Sequence, residues 1–222
     1  MDISNFDWGW MSGTSHQDSI ISELSQNIYQ KVFKVEPGDI VLDLGASVGI
    51  FPFSVKNSGF RHMFCFEPSN KEFPTLVKNT MGMPVTHICA AMTNKWYSSR
   101  TIKNIFGNPD DNPTYCHSLG SFKSLYGLEI IDFMKMDIEG SEYDIFTMRN
   151  IHILKNIRKI VGEFHLKGEE LNLKFIWFRD NILQFFDKVT VFSIDGTDIT
   201  WNIYNKGFTE YYTEVIIYID NR

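Results

Sequence analysis

Residues 133 to 142 read Phe-Met-Lys-Met-Asp-Ile-Glu-Gly-Ser-Glu, and the fold class turns on how this stretch is read. An apolar run (Ile130, Ile131, Phe133, Met134, Met136) stops at Asp137, and Asp137, Glu139 and Glu142 then cluster around Gly140. A short apolar run ending in a glycine-bearing turn reads as a buried strand passing into a helix. Ligands of open α/β sheets bind outside the carboxyl ends of the strands, so acids at such a tip are well placed for chemistry. The same acids also suit the N-terminus of the next helix. On this stretch alone the two readings weigh the same.

Working outward, further strands are expected at Ile40 to Leu44, Met63 to Phe66, Val85 to Ala91, Ile160 to Phe164, Val189 to Ser193 and Tyr212 to Ile219. Between them, helices are expected from near Gly49, from Ser69 or Asn70 to about Asn79, from Glu142 to about Met148, and over Leu171 to Phe186. The last has an aromatic face of Phe175, Phe178 and Phe185. This alternation predicts a doubly wound α/β sheet. Residues 92 to 120 read as polar and irregular, with Asn108 to Pro113 a long turn, and a loop of that length is usually functional or mobile.

Residues 1–36 read as an appendage before a single domain at 37–222, with Ile21, Leu24, Ile28 and Val32 at helical spacing over Asp18 to Phe33. Trp8 and Trp10 lie in this segment, and we expect it to close over the acceptor site as a lid or to pair two subunits as a homodimer. A chain of 222 residues with 43% hydrophobic content supports one ordinary core, and nineteen Phe make it bulky or line a pocket. The net charge of −6 argues against a nucleic-acid partner, because phosphate contacts need a basic surface. Cys65, Cys89 and Cys116 lack metal-type spacing, and Cys65 and Cys89, each in an apolar stretch, read as small buried hydrophobes in a reducing compartment. The N-terminus lacks a signal-peptide pattern, and no apolar run approaches the roughly 18 residues of a membrane helix. The expectation is a cytoplasmic protein without a membrane partner.

A second motif decides between the readings of the acidic turn. Val41-Leu-Asp43-Leu-Gly45-Ala46-Ser47-Val-Gly49 ends the first strand in a glycine loop, where backbone and helix N-terminus can approach a ligand. Ser47 and Ile50 replace the second and third glycines of a dinucleotide fingerprint. Asp43 would repel a pyrophosphate but suits a ligand carrying ammonium and sulfonium charge. Glu67 ends the second strand about 20 residues further on, where an acid binds ribose hydroxyls. The pair points to a nucleoside-bearing ligand.

These motifs, with Cys65-Phe-Glu-Pro-Ser69 and Val161-Gly-Glu163-Phe-His165, resemble the S-adenosylmethionine-dependent methyltransferases of the FkbM family over about residues 38 to 166. The Lys135-x-Asp137-x-Glu139-Gly140-x-Glu142 element is its specific part. The resemblance implies a class I methyltransferase fold: a Rossmann-like sheet of about seven strands, mostly parallel, with an antiparallel last strand. It also implies O-methylation of a sugar, glycan or related small-molecule hydroxyl. The cofactor would meet Asp43, Gly45, Ala46, Ser47, Gly49, Glu67, Pro68, Ser69 and Asp137, with Ala90 and Ala91 near the adenine. Residues 1–36 and 170–222 carry no motif of the family.

Methyl transfer is an in-line displacement, so the protein mainly aligns the acceptor oxygen and removes its proton. The candidates for catalysis are Asp137, His165, Glu163 and Lys135, with His117 read more readily as structural. His165 is attractive because an unperturbed imidazole suits a base near neutral pH. Lys135 and Asp137 share a strand face, and an ion pair could be their whole purpose. Asp137, Glu163 and His165, with Glu139 and Glu142 nearby, would suit Mg²⁺. Helix capping already accounts for Glu139 and Glu142, so metal dependence is the lesser reading.

Three rivals are weaker. An NAD-dependent sugar oxidoreductase or epimerase of the short-chain type needs a Tyr with Lys four residues on, and no tyrosine here has one. A nucleic-acid amino-methyltransferase would use Asn112-Pro-Thr-Tyr115, but Gly107-Asn-Pro-Asp-Asp precedes it instead of an apolar strand. A non-enzymatic cofactor-binding module is left open.

Overall fold

The computed structural model describes residues 4–94, 97–100 and 114–222. Its strands are β1 (Ile40–Leu44), β2 (His62–Phe66), β3 (Val85–Ile88), β4 (Ala90–Thr93), β5 (Tyr97–Arg100), β6 (Thr114–Ser118), β7 (Ile131–Met136), β8 (Ile157–His165), β9 (Val189–Ser193) and β10 (Glu214–Asp220). The helices are α1 (Ser15–Gln26), α2 (Ile50–Ser54), α3 (Phe73–Asn79), α4 (Leu119–Leu125), α5 (Glu142–Ile145), α6 (Ile151–Leu154), α7 (Glu169–Asn181) and α8 (Phe208–Tyr211). Seven strands form one sheet in the order β3-β2-β1-β7-β8-β10-β9. β10 runs antiparallel to both β8 and β9, and the β1–β2, β2–β3, β1–β7 and β7–β8 pairs are parallel. This is the expected doubly wound sheet with its antiparallel strand.

The chain steps outward from β1 to β3 and then crosses back to β7 on the other side of β1. That reversal opens a crevice at the carboxyl ends of β1 and β7. Strand periodicity sorts the side chains onto two faces. Leu42, Leu44, Phe64, Phe66, Met134, Met136, Ile160 and Phe164 fill one core layer. Val41, Met63, Cys65, Phe133 and Val161 fill the other, against Ile28, Phe33, Ala46 and Phe51. Asp43, Glu67, Lys135, Asp137, Glu163 and His165 continue the second alternation at the strand tips, so polar groups converge where the apolar layer ends.

Two expectations are corrected. Residues 92 to 120 are not irregular throughout: β4, β5 and β6 make a second, three-stranded sheet, and α4 follows directly. Val85 to Ala91 is not one strand, because the chain breaks at Cys89 and Ala90–Thr93 joins that second sheet. Its strands are short, and in β6 Tyr115 is exposed beside buried Cys116, so apolar content alone does not reveal them. A Ser118–Ser121 capping box marks the start of α4. The expected turn Asn108 to Pro113 lies outside the described residues.

The N-terminal helix also stops earlier than its spacing predicts. Asn27 takes a left-handed φ of 54°, a common helix stop for Asn. Beyond it, Ile28 and Phe33 pack on the sheet, and Tyr218 of β10 ties this segment down by accepting from Lys31 N–H at 2.9 Å and donating to Ile28 O. Lys159, buried on β8, pairs with Asp39 at 2.8 Å and donates to Lys34 O at 2.9 Å.

Candidate active site

The glycine loop lies against the acidic turn. Gly45 has φ 76°, and a Cβ there would come 1.7 Å from Asp137 O, so any side chain would collide with backbone. Ser47 follows at φ 49°, a left-handed conformation that strains a non-glycine residue. Its N–H donates to Glu67 Oε2 at 2.7 Å, and Ser69 N–H donates to Glu67 Oε1 at 2.7 Å. These amides aim the carboxylate while leaving lone pairs on both oxygens. Burial and the neighbouring Glu72 charge push Glu67 up to about 8, against the pull of the two amides.

Asp43 is fully buried beneath the loop, and neither of its carboxylate oxygens makes a hydrogen bond. Lys135 Nζ lies 3.4 Å from Asp43 Oδ1 and 3.9 Å from Asp137 Oδ2, and it donates to Gly45 O at 2.7 Å. Burial opposes the Lys135 charge, but Asp43 and Asp137 outweigh it and raise its pKa. The expected Lys135–Asp137 pair therefore exists and extends to Asp43 and the loop. With no exposed surface, Asp43 would act on a ligand through Lys135 and the loop rather than by contact.

Beyond Asp137, Glu139 adopts φ 55° and the turn folds back on Glu142. Buried Glu142 Oε1 accepts from Gly140 N–H at 3.1 Å and Ile138 N–H at 3.3 Å, and lies 3.0 Å from His165 Nδ1. His165 Nε2 is 3.5 Å from Glu139 and 3.7 Å from Glu163. Burial opposes the imidazolium, yet the Glu142 hydrogen bond and the Glu142, Asp137 and Glu163 charges raise its pKa to about 10. His165 is therefore held as a cation, which corrects the expectation of a neutral base: its unperturbed pKa does not survive a ring of carboxylates. Asp137, Glu163 and His165 each offer one potential ligand atom, and these atoms lie within 4.8 Å of one another. Glu139 and Glu142 are not part of that set.

Tyr29, which sequence reasoning missed, completes the arrangement. Its hydroxyl lies 3.1 Å from Asp137 Oδ2 and 3.1 Å from Glu163 Oε2. A lone Tyr beyond an N-terminal helix carries no motif, and only the chain's turn at Asn27 delivers it here. Trp8 is instead buried with Phe6, Met11, Ile20, Val48 and Phe53, and Trp10 lies under Lys71 Nζ at 3.7 Å. The residue of the N-terminal segment that meets the acid pair is thus Tyr29. His117 sits on β6, 6.0 Å from the Phe66 ring, away from the acid cluster.

Residues 43–191 match the sequence profile of the methyltransferase FkbM domain. The chain belongs to that family. No curated protein matches it. Among solved structures, a candidate methyltransferase from Streptococcus mutans, solved in complex with SAH, superposes with a TM-score of 0.51 at 10% identity, over 89% of this chain and 96% of that one. A candidate rRNA methylase from Clostridium thermocellum gives 0.50 at 11% identity, over 93% and 96%. At such identities the likeness carries the class I methyltransferase fold and not the acceptor. Within this FkbM domain the specific sequence element, Lys135 to Glu142, is the turn that holds Lys135, Asp137 and Glu142 in the contacts above.

Proposed function

We propose that this FkbM-family protein transfers a methyl group from S-adenosylmethionine to a hydroxyl of a sugar, glycan or related small molecule. The observation that carries the reading is the convergence of Asp137 and Glu163 on one hydroxyl oxygen at 3.1 Å each. In this reading Glu67, with Pro68 and Ser69, takes the ribose hydroxyls, the Gly45–Gly49 loop (Ala46 and Ser47 included) takes the adjoining part of the cofactor, and Ala90 and Ala91 flank the adenine. The buried Asp43 carboxylate, paired with Lys135 beneath the loop, and the cradle at Gly45, which a Cβ would fill, fit such a nucleoside. The SAH-bound neighbour is in keeping with this. Residues 1–36 would serve as the cover of the acceptor side.

The cofactor supplies an electrophilic methyl group, and the chain's residues do the rest. Lys135 and His165 stay positive and hold the acids in place. Asp137, with Glu163 beside it, accepts the acceptor's proton. The net charge of −6 and the acid pair favour a neutral polyol over a polyphosphate, although the rRNA-methylase neighbours make RNA the outcome to test.

Incubation with methyl-labelled S-adenosylmethionine, a panel of methyl glycosides and total RNA decides it. Label in a glycoside is expected, and label in RNA alone overturns the reading. Asp137→Asn should lower kcat by about 10²-fold or more while leaving the affinity for S-adenosylhomocysteine within a few-fold, since base catalysis contributes roughly 10²–10⁴. Asp137, Glu163 and His165 would be the ligands of a divalent cation, which would lower the acceptor hydroxyl's pKa. A metal must first displace the proton on His165 Nε2, the nitrogen that faces Glu139 and Glu163, so turnover is expected to survive EDTA. Loss on EDTA with recovery on Mg²⁺ would reverse that expectation.

A further inference from the structure

Tyr29 reaches the acid pair from outside the sheet. Its ring packs edge-on to Phe51, centroids 6.1 Å apart, with Lys135 Nζ 5.2 Å from its centroid. The backbone on either side is fastened to Tyr218 through Ile28 O and Lys31 N–H. The phenol has one proton, and a single O–H can serve only one of the two carboxylate oxygens at a time. The Tyr29 hydroxyl thus stands where the two carboxylates converge, a place that takes hydroxyl donors.

We infer that the Tyr29 hydroxyl holds the acceptor's own seat in the free protein, and that an acceptor binds by displacing it. The ligand class that displaces it best is a vicinal diol, as on a pyranose ring, which brings two O–H donors to two carboxylates. The inference rests on the hydroxyl-acceptor reading above and adds the residue that competes for the site. A competing occupant weakens apparent affinity in proportion to the time the seat is filled. Removing only its hydroxyl should therefore strengthen acceptor binding.

The test compares wild type with Tyr29→Phe, which keeps the ring, using methyl α-mannoside as probe with S-adenosylhomocysteine present. Tyr29→Phe is expected to bind the probe about three- to tenfold more tightly, the equivalent of one ordinary hydrogen bond removed from the competition. In wild type labelled with 3-fluorotyrosine, the ¹⁹F resonance absent from Tyr29→Phe should shift with the same dose dependence. A merely structural tyrosine would lose affinity on truncation, not gain it. Equal or weaker binding by Tyr29→Phe, a Tyr29 resonance that stays put while the probe binds, or no binding to either protein overturns the inference. Calorimetry with S-adenosylhomocysteine alone keeps the two claims apart. Failure of wild type to bind it removes the methyltransferase reading, whereas normal binding without the gain in Tyr29→Phe removes only the role given to Tyr29.

Discussion

Gly45 and Glu67 show how single residues shape the crevice. At Gly45 the Asp137 carbonyl stands where a Cβ would go, so the glycine loop and the acidic turn can touch only through a residue without a side chain. Glu67 makes a prediction about pH. Its folded pKa of about 8 lies above the 4.5 of an ordinary glutamate, so the folded state holds its proton more tightly than the unfolded chain. The stability this confers is fully present below 4.5 and is lost as pH rises through 8. Glu67→Gln cannot ionise. Urea midpoints measured from pH 4.5 to 9 should show wild type losing stability relative to the variant across that window, then levelling. Parallel curves would show that Glu67 ionises in the fold as freely as in water.

At the scale of elements, the segment after α1 matters more than its length suggests. Asn27 ends the helix, Tyr218 of β10 holds the backbone at both Ile28 and Lys31, and Tyr29 between them reaches the acid pair. Tyr218→Phe should cost about 1–2 kcal/mol, since a buried hydroxyl with two partners is removed. Amide exchange should then rise in residues 27–33 and stay unchanged in β1, β7 and β8. Unchanged protection in 27–33 would mean that apolar packing of Ile28 and Phe33, not the hydroxyl, holds the segment. The turn from β7 into α5 is organised differently: one oxygen of Glu142 gathers two backbone N–H groups and the His165 ring. The three acids near Gly140 thus divide their work, Asp137 facing the crevice, Glu139 beside His165 and Glu142 inside.

For the whole molecule, the sheet order places the tips of β1, β2, β7 and β8 side by side, so a ligand there would span the ends of four strands. A cofactor that bridges these tips should stabilise the fold as one unit. At 100 times its dissociation constant, S-adenosylhomocysteine should add about 2.7 kcal/mol, a rise in Tm of roughly 5–10 °C for a chain of this size. No shift at saturating ligand in a thermal unfolding scan would contradict the cofactor assignment.

Much of this was legible in the chain because strands and their tips are local. β1 and β9 lie where the alternation of apolar and turn residues put them, and Asp43, Glu67, Lys135 and Asp137 follow from strand ends and a period of two. The family motif is local in the same sense, a single turn whose spacing is its geometry. What lay beyond reading depends on contacts between distant residues. The second sheet joins β4 to β6 across some twenty positions with no hairpin signal between them. His165 looks like a neutral base until four carboxylates from two strand ends surround it. Tyr29 meets Asp137 and Glu163 across more than 100 residues. Periodicity and turn chemistry are properties of neighbours along the chain, whereas protonation state and the partner of a hydroxyl are properties of neighbours in space.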